Sequence, residues 1–190
     1  MQSQDPEVDS IIYNQLLDTH LTDEGVQQAR LVQPLLNEFR FPENIVYCSP
    51  RRRTMETLCN ALDTHPQKSS LEIVLLPLAA EFVFSYENIP PPMSQLKQEF
   101  EEKVIEGFGF KSIDYSLLNN DNLYFLRQLE IDPELLEHYL QVCEPYKDGD
   151  LVPAFKQLYR ENVERGATGN KRLALEPNRN LYNRCQKLRL

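Results

Sequence analysis

The chain has 190 residues, a formal net charge of -9 and a pI near 4.9. That acidic balance argues against a general nucleic-acid binder, which needs an extended basic face. Hydrophobic residues make up 41% of the sequence, enough to build a core at this length, yet no apolar run approaches the roughly 20 residues that cross a bilayer.

Residues 1–10 are polar and acidic and are expected to be disordered. They resemble neither a secretory signal nor an arginine-rich transit peptide, so the expected compartment is the cytoplasm. Residues 11–17 are apolar but short, with room for a single helical turn. Thr22 reads as an N-cap, with Asp23 and Glu24 in the first turn where the helix dipole favours them. The spacing of Val26, Ala29, Val32, Leu35 and Leu36 predicts one apolar helical face to about residue 39. Pro34 falls inside that helix and is expected to kink or shorten it.

Residues 44–48 read as a buried strand. A second helix is predicted from Arg51 or Arg52 to Leu62, with Met55, Leu58, Cys59 and Leu62 turned inward. Residues 63–70 form a polar loop, and 71–76 a second strand. Three prolines at 90–92 force an extended stretch. Ser94 can cap a helix carrying Lys97, Phe100, Val104 and Ile105, and 107–121 read as loop. Helical segments are expected at 123–129, 133–143, 152–164 and 180–188, with a flexible link at 166–170. Strand and helix alternate most clearly up to residue 80, which favours an α/β fold with a helical insert and a helical tail. Cys48, Cys59, Cys143 and Cys185 form no Cys-x-x-Cys pair, so they are expected to be reduced thiols rather than zinc ligands.

One turn carries chemistry. Asn44-Ile45-Val46-Tyr47 leads into Cys48-Ser49-Pro50-Arg51-Arg52-Arg53-Thr54. A strand that ends in a cationic turn at a helix N-terminus can hold a phosphate. Free N–H groups and the dipole attract the anion, and arginine adds paired donors that match its oxygens. Taken alone, three arginines in a row are more often a solvated charge cluster.

The surrounding series resembles the histidine phosphatase superfamily, the phosphoglycerate-mutase-like family. Its pattern D-x-x-L-T-x-x-G-x-x-Q-A is met by Asp18, Leu21, Thr22, Gly25, Gln28 and Ala29. Its S-P-x-x-R-x-x-x-T is met by Ser49, Pro50, Arg53 and Thr57, and a second strand leads to Glu81. Residues 113–116 and 122–124 also look like the insert of a eukaryotic branch of the family. The resemblance covers roughly residues 11–130.

It implies a phosphoglycerate-mutase-like three-layer α/β sandwich. Residues 11–190 would form a single domain with an insert at about 82–130. It also implies phosphate-ester chemistry with no metal or organic cofactor, and a phosphorylated small molecule or phosphoprotein as partner. Arg53 and Ser49 would bind the phosphoryl group, and Glu81 would be the proton donor. Arg51 and Arg52 occupy variable positions and are expected at the surface; Thr22 and Gly25 are expected to cap and to pack closely.

The family nucleophile is the histidine of an Arg-His-Gly motif, and a second pocket histidine follows a late strand. His20, His65 and His138 are the histidines of this sequence, and none has either setting. The expectation is therefore an incomplete central sheet, open to a protein partner that completes it, and a chain inactive as written. Three readings stand: part of an active phosphatase, a non-catalytic relative that binds phosphate or protein, or an unrelated α/β protein.

Overall fold

A computed structural model describes residues 17–80, 88–118, 122–126, 133–164 and 186. By contacts the chain divides into two compact units. One is His20–Ala80 with Met93–Asp121; the described part of the other comprises 17–19, 88–92, 122–126, 133–164 and 186.

The first unit holds a parallel sheet of three strands, β1 (Ile45–Cys48), β2 (Glu72–Leu75) and β3 (Ser112–Asp114), in the order β1-β2-β3. Ile45 pairs with Glu72 and Cys48 with Leu75; Glu72 pairs with Ser112 and Val74 with Asp114. The central strand β2 carries Ile73, Val74 and Leu75 into the core. Helices and a small parallel sheet give the expected α/β arrangement, with the sheet incomplete among the described residues. The expectation of a buried strand at 44–48 is corrected. β1 is an edge strand among the described residues, and Tyr47 on it is 62% exposed.

Helix α1 (Asp23–Leu31) starts as expected. Thr22 takes an extended backbone and its Oγ1 accepts from the Gly25 N–H at 3.1 Å. A Cβ on Gly25 would meet Leu21 Cδ2 at 3.2 Å, so glycine lets the turn close. The helix does not reach residue 39. It stops at Val32, and a separate turn, α2 (Gln33–Leu36), carries Pro34 near its start. Proline has no N–H to donate to the carbonyl four residues back, and its ring crowds that carbonyl. The break spoils the apolar face: Ala29 is buried, but Val32 and Leu35 are exposed.

Helix α3 (Arg52–Ala61) links β1 to β2 and buries Met55 and Cys59 in the core. Helix α4 (Met93–Phe100) begins one residue before Ser94, so Ser94 is not its cap. It runs on as a wider π-type coil, Glu101–Gly107, and Leu96, Phe100 and Val104 face inward. The loop expected at 107–121 instead contains β3.

In the second unit, α5 (Pro133–Cys143) and α6 (Val152–Glu164) match the expected bounds. Tyr139 and Cys143 on α5 are buried, as are Ala154, Phe155 and Leu158 on α6, and Phe155 stacks on Phe125 with centroids 5.8 Å apart. Residues 122–126 form turns rather than the expected helix. The expectations for residues 1–16, for Glu81, for the 166–170 link and for all but one residue of the 180–188 helix lie outside the described residues. Among the described residues no helix is long and apolar enough to cross a membrane.

Candidate functional site

The turn from β1 into α3 lies at the carboxyl end of a parallel strand, where ligands of open α/β sheets bind. Its backbone is tightly tied. The Arg51 N–H donates to the Ser49 carbonyl at 2.8 Å, and the Met55 N–H donates to the Arg51 carbonyl at 2.9 Å. Thr54 Oγ1 lies 2.8 Å from the Ser49 carbonyl and 2.9 Å from that of Arg51, so one hydroxyl braces both. Arg51 is the extended residue before the helix, and no side chain at that position caps α3. The Ser49 hydroxyl is buried and makes no hydrogen bond among the described residues. A buried hydroxyl without a partner costs free energy, and such groups often face a ligand.

The arginines are not arranged as expected. Arg51 is 2% exposed and Arg52 9%, whereas Arg53 is only part-buried. The expectation that Arg51 and Arg52 lie at the surface is therefore corrected. Arg52 is buried because it has a specific partner: its Nε donates to Glu99 Oε2 at 2.8 Å, from α4 to the start of α3. An unpaired guanidinium would resist such burial.

Glu99 belongs to a network of charged side chains that reaches across three elements. Its Oε1 accepts from Lys103 Nζ at 3.2 Å. Lys103 also reaches Glu56 Oε1 at 3.3 Å. Glu56, one turn after Arg52 on α3, accepts from the Leu21 N–H at 2.7 Å, and its other oxygen lies 2.7 Å from His20 Nδ1. The network thus ties the loop before α1 and helix α4 to the turn-bearing helix α3.

The protonation of these groups follows from the contacts. Burial tends to raise the Glu56 carboxyl, but the Leu21 N–H, His20 and Lys103 outweigh it and hold the group below its ordinary value. Glu99 is likewise opposed by burial and brought low by Arg52 and then Lys103. Burial disfavours the Lys103 ammonium, yet Glu99 and Glu56 raise it above the usual lysine range. His20, Glu56 and Glu99 offer ligand atoms within 4.8 Å of one another, a spacing a divalent cation can use. Arg52 and Lys103 already supply the positive charge those carboxylates require.

Each histidine is committed. His65 Nδ1 accepts from the Gln67 N–H at 3.1 Å, so its Nε2–H donates to the Phe39 carbonyl at 3.0 Å. His138 Nε2 bonds Glu161 between α5 and α6. His20 bonds Glu56, as above. Ser49 and the three arginines lie along the one turn from β1 into α3; Glu81 lies outside the described residues. Sequence reasoning missed Glu56, Glu99 and Lys103. The only available signal was the i,i+4 spacing of Glu99 and Lys103, which is common on exposed helices.

Comparison with family models gives one finding. The model of the histidine phosphatase superfamily, branch 1, matches residues 5–101, a span that includes Asp18, the Ser49–Arg53 turn, Glu81 and Glu99. Searches of curated proteins and of solved structures return no match.

Proposed function

The chain belongs to the histidine phosphatase superfamily, and on that premise we propose that its Ser49–Arg53 turn holds a phosphoryl group without hydrolysing it. The observation that carries this reading is the buried Ser49 hydroxyl beside buried arginines at the start of α3, inside the matched span. The α3 N-terminus favours a dianion, Arg53 in the first turn of α3 supplies a guanidinium for it, and the Ser49 hydroxyl donates one further hydrogen bond.

Hydrolysis in this family proceeds through a histidine nucleophile, whose nitrogen attacks phosphorus and is later released by water. None of the three histidines has the Arg-His-Gly setting, and His65 has both nitrogens engaged. Glu81 is the proposed proton donor of the family chemistry. Without a nucleophile to expel the leaving group, it has no oxygen to protonate. The reading is of a phosphate-binding relative, inactive as written, whose ligand is a phosphorylated small molecule or a phosphoprotein. A protein that adds a strand beside β1 is a second proposed partner, supported by the edge position of β1 and the exposed Tyr47. The proposed compartment is the cytoplasm, supported by the buried free thiols of Cys48, Cys59 and Cys143.

A turnover assay tests the proposal. The purified chain is incubated with p-nitrophenyl phosphate and a panel of sugar phosphates and phosphopeptides. The expected rate equals that of buffer. A steady rate that copurifies with the chain and is lost in Arg53→Ala would overturn the non-catalytic reading.

A further inference from the structure

We infer that Glu99, on the insert helix, is a positioning residue that fixes the Arg52 guanidinium at the Ser49–Arg53 turn and so sets how tightly that turn holds a phosphate. The inference rests on the phosphate-binding reading above and extends it to a residue outside the turn.

Three observations converge on it. Arg52 is 9% exposed, and its Nε–H points at Glu99 Oε2 from 2.8 Å. Arginine has several rotatable bonds, and holding them costs entropy unless a partner pre-orders the group. A carboxylate on Nε fixes the plane of the guanidinium, because the delocalised group is flat. The second oxygen of Glu99 is held in turn by Lys103 at 3.2 Å, and Lys103 also bonds Glu56, one turn along α3 from Arg52. Glu99 therefore cannot swing away without giving up the cation behind it. The arrangement places α4 in control of a side chain in the first turn of α3.

The inference makes a prediction opposite in sign to simple electrostatics. Glu99 is a negative charge near a proposed anion site. If it acted only as a charge, removing it would strengthen phosphate binding. If it positions Arg52, removing it weakens binding in spite of the lost repulsion. The relevant contact is a charge-assisted hydrogen bond, worth on the order of tenfold in affinity when it is lost.

Inorganic phosphate is titrated calorimetrically into the native chain, Glu99→Ala, Glu99→Gln and Arg52→Ala, each first checked for a cooperative melt. Glutamine keeps an oxygen that can accept from Nε. Glu99→Ala and Arg52→Ala are expected to weaken binding by about tenfold. Glu99→Gln is expected to stay within about twofold of the native chain, or to bind tighter through the lost charge. Equal or tighter binding by Glu99→Ala overturns the inference.

A nuclear magnetic resonance readout that needs no phosphate separates this inference from the reading beneath it. The Nε–H resonance of Arg52, assigned by its loss in Arg52→Ala, is expected to be sharp in the native chain and in Glu99→Gln. In Glu99→Ala it is expected to broaden by exchange with water. If the native chain binds no phosphate, the phosphate-binding reading fails, and a resonance unchanged in Glu99→Ala overturns the positioning role independently.

Discussion

Replacing Glu56 by alanine removes the acceptor on which three elements meet. Its carboxylate takes a 2.7 Å hydrogen bond from the part-buried Leu21 N–H and contacts His20 and Lys103. The Leu21 bond is charge-assisted and leaves a donor without its acceptor when Glu56 is cut back, a loss of about 1.5–3 kcal/mol. The His20 and Lys103 side chains are 52% and 47% exposed, so each of those pairs adds only about 0–1 kcal/mol. The expected cost of Glu56→Ala is therefore about 2–4 kcal/mol at neutral pH. The pH dependence carries the stronger test. The folded carboxyl titrates below its ordinary value. Its contribution is present above the unfolded pKa of about 4.3 and is lost as pH falls through the lower folded value. Urea denaturation of both proteins at neutral pH and in an acid series reads the difference. The gap should be widest near neutrality and close in acid. A gap under about 0.5 kcal/mol at neutral pH, or one that persists unchanged into acid, would refute the account of this contact.

Three further outcomes follow from the same structure. Ile73→Ala, at a fully buried position in the central strand, should cost about 2–5 kcal/mol by urea denaturation. Thr22→Ala removes the cap that accepts from Gly25 and should cost about 1 kcal/mol, measured the same way. Burial pushes the thiols of Cys48, Cys59 and Cys143 up to about 12. In a Cys185→Ser chain, a thiol reagent at neutral pH should therefore label none of them until denaturant is added; rapid labelling of the folded chain would contradict their burial.

Much of the first unit was legible because its signals are local. A β-branched run ending in Ser49-Pro50 marks β1, the Met55, Cys59 and Leu62 spacing marks α3, and Thr22 marks the start of α1. Pro34 was expected to shorten the first helix, and it does. What the sequence hid depends on partners distant along the chain. β3 is three residues long, Ser-Ile-Asp, and exists as a strand only because β2 supplies the ladder beside it. The same is true of the site. The motif pointed to the turn and to Arg53 but said nothing of Arg52, which is buried through Glu99, 47 residues away. Nothing in a run of three arginines says which of them will find a carboxylate. Arg51 and Arg52 were expected at the surface because they occupy variable positions of the motif; both are buried, and for Arg52 the pairing with Glu99 accounts for it.

The central claim is that the Ser49–Arg53 turn binds a phosphoryl group. Calorimetric titration of inorganic phosphate into the native chain and into Arg53→Ala tests it most directly. The account predicts weak saturable binding to the native chain and a loss of about tenfold or more in the variant, as expected for a charge-assisted contact. Equal affinity in the two proteins, or no binding to either, would contradict it.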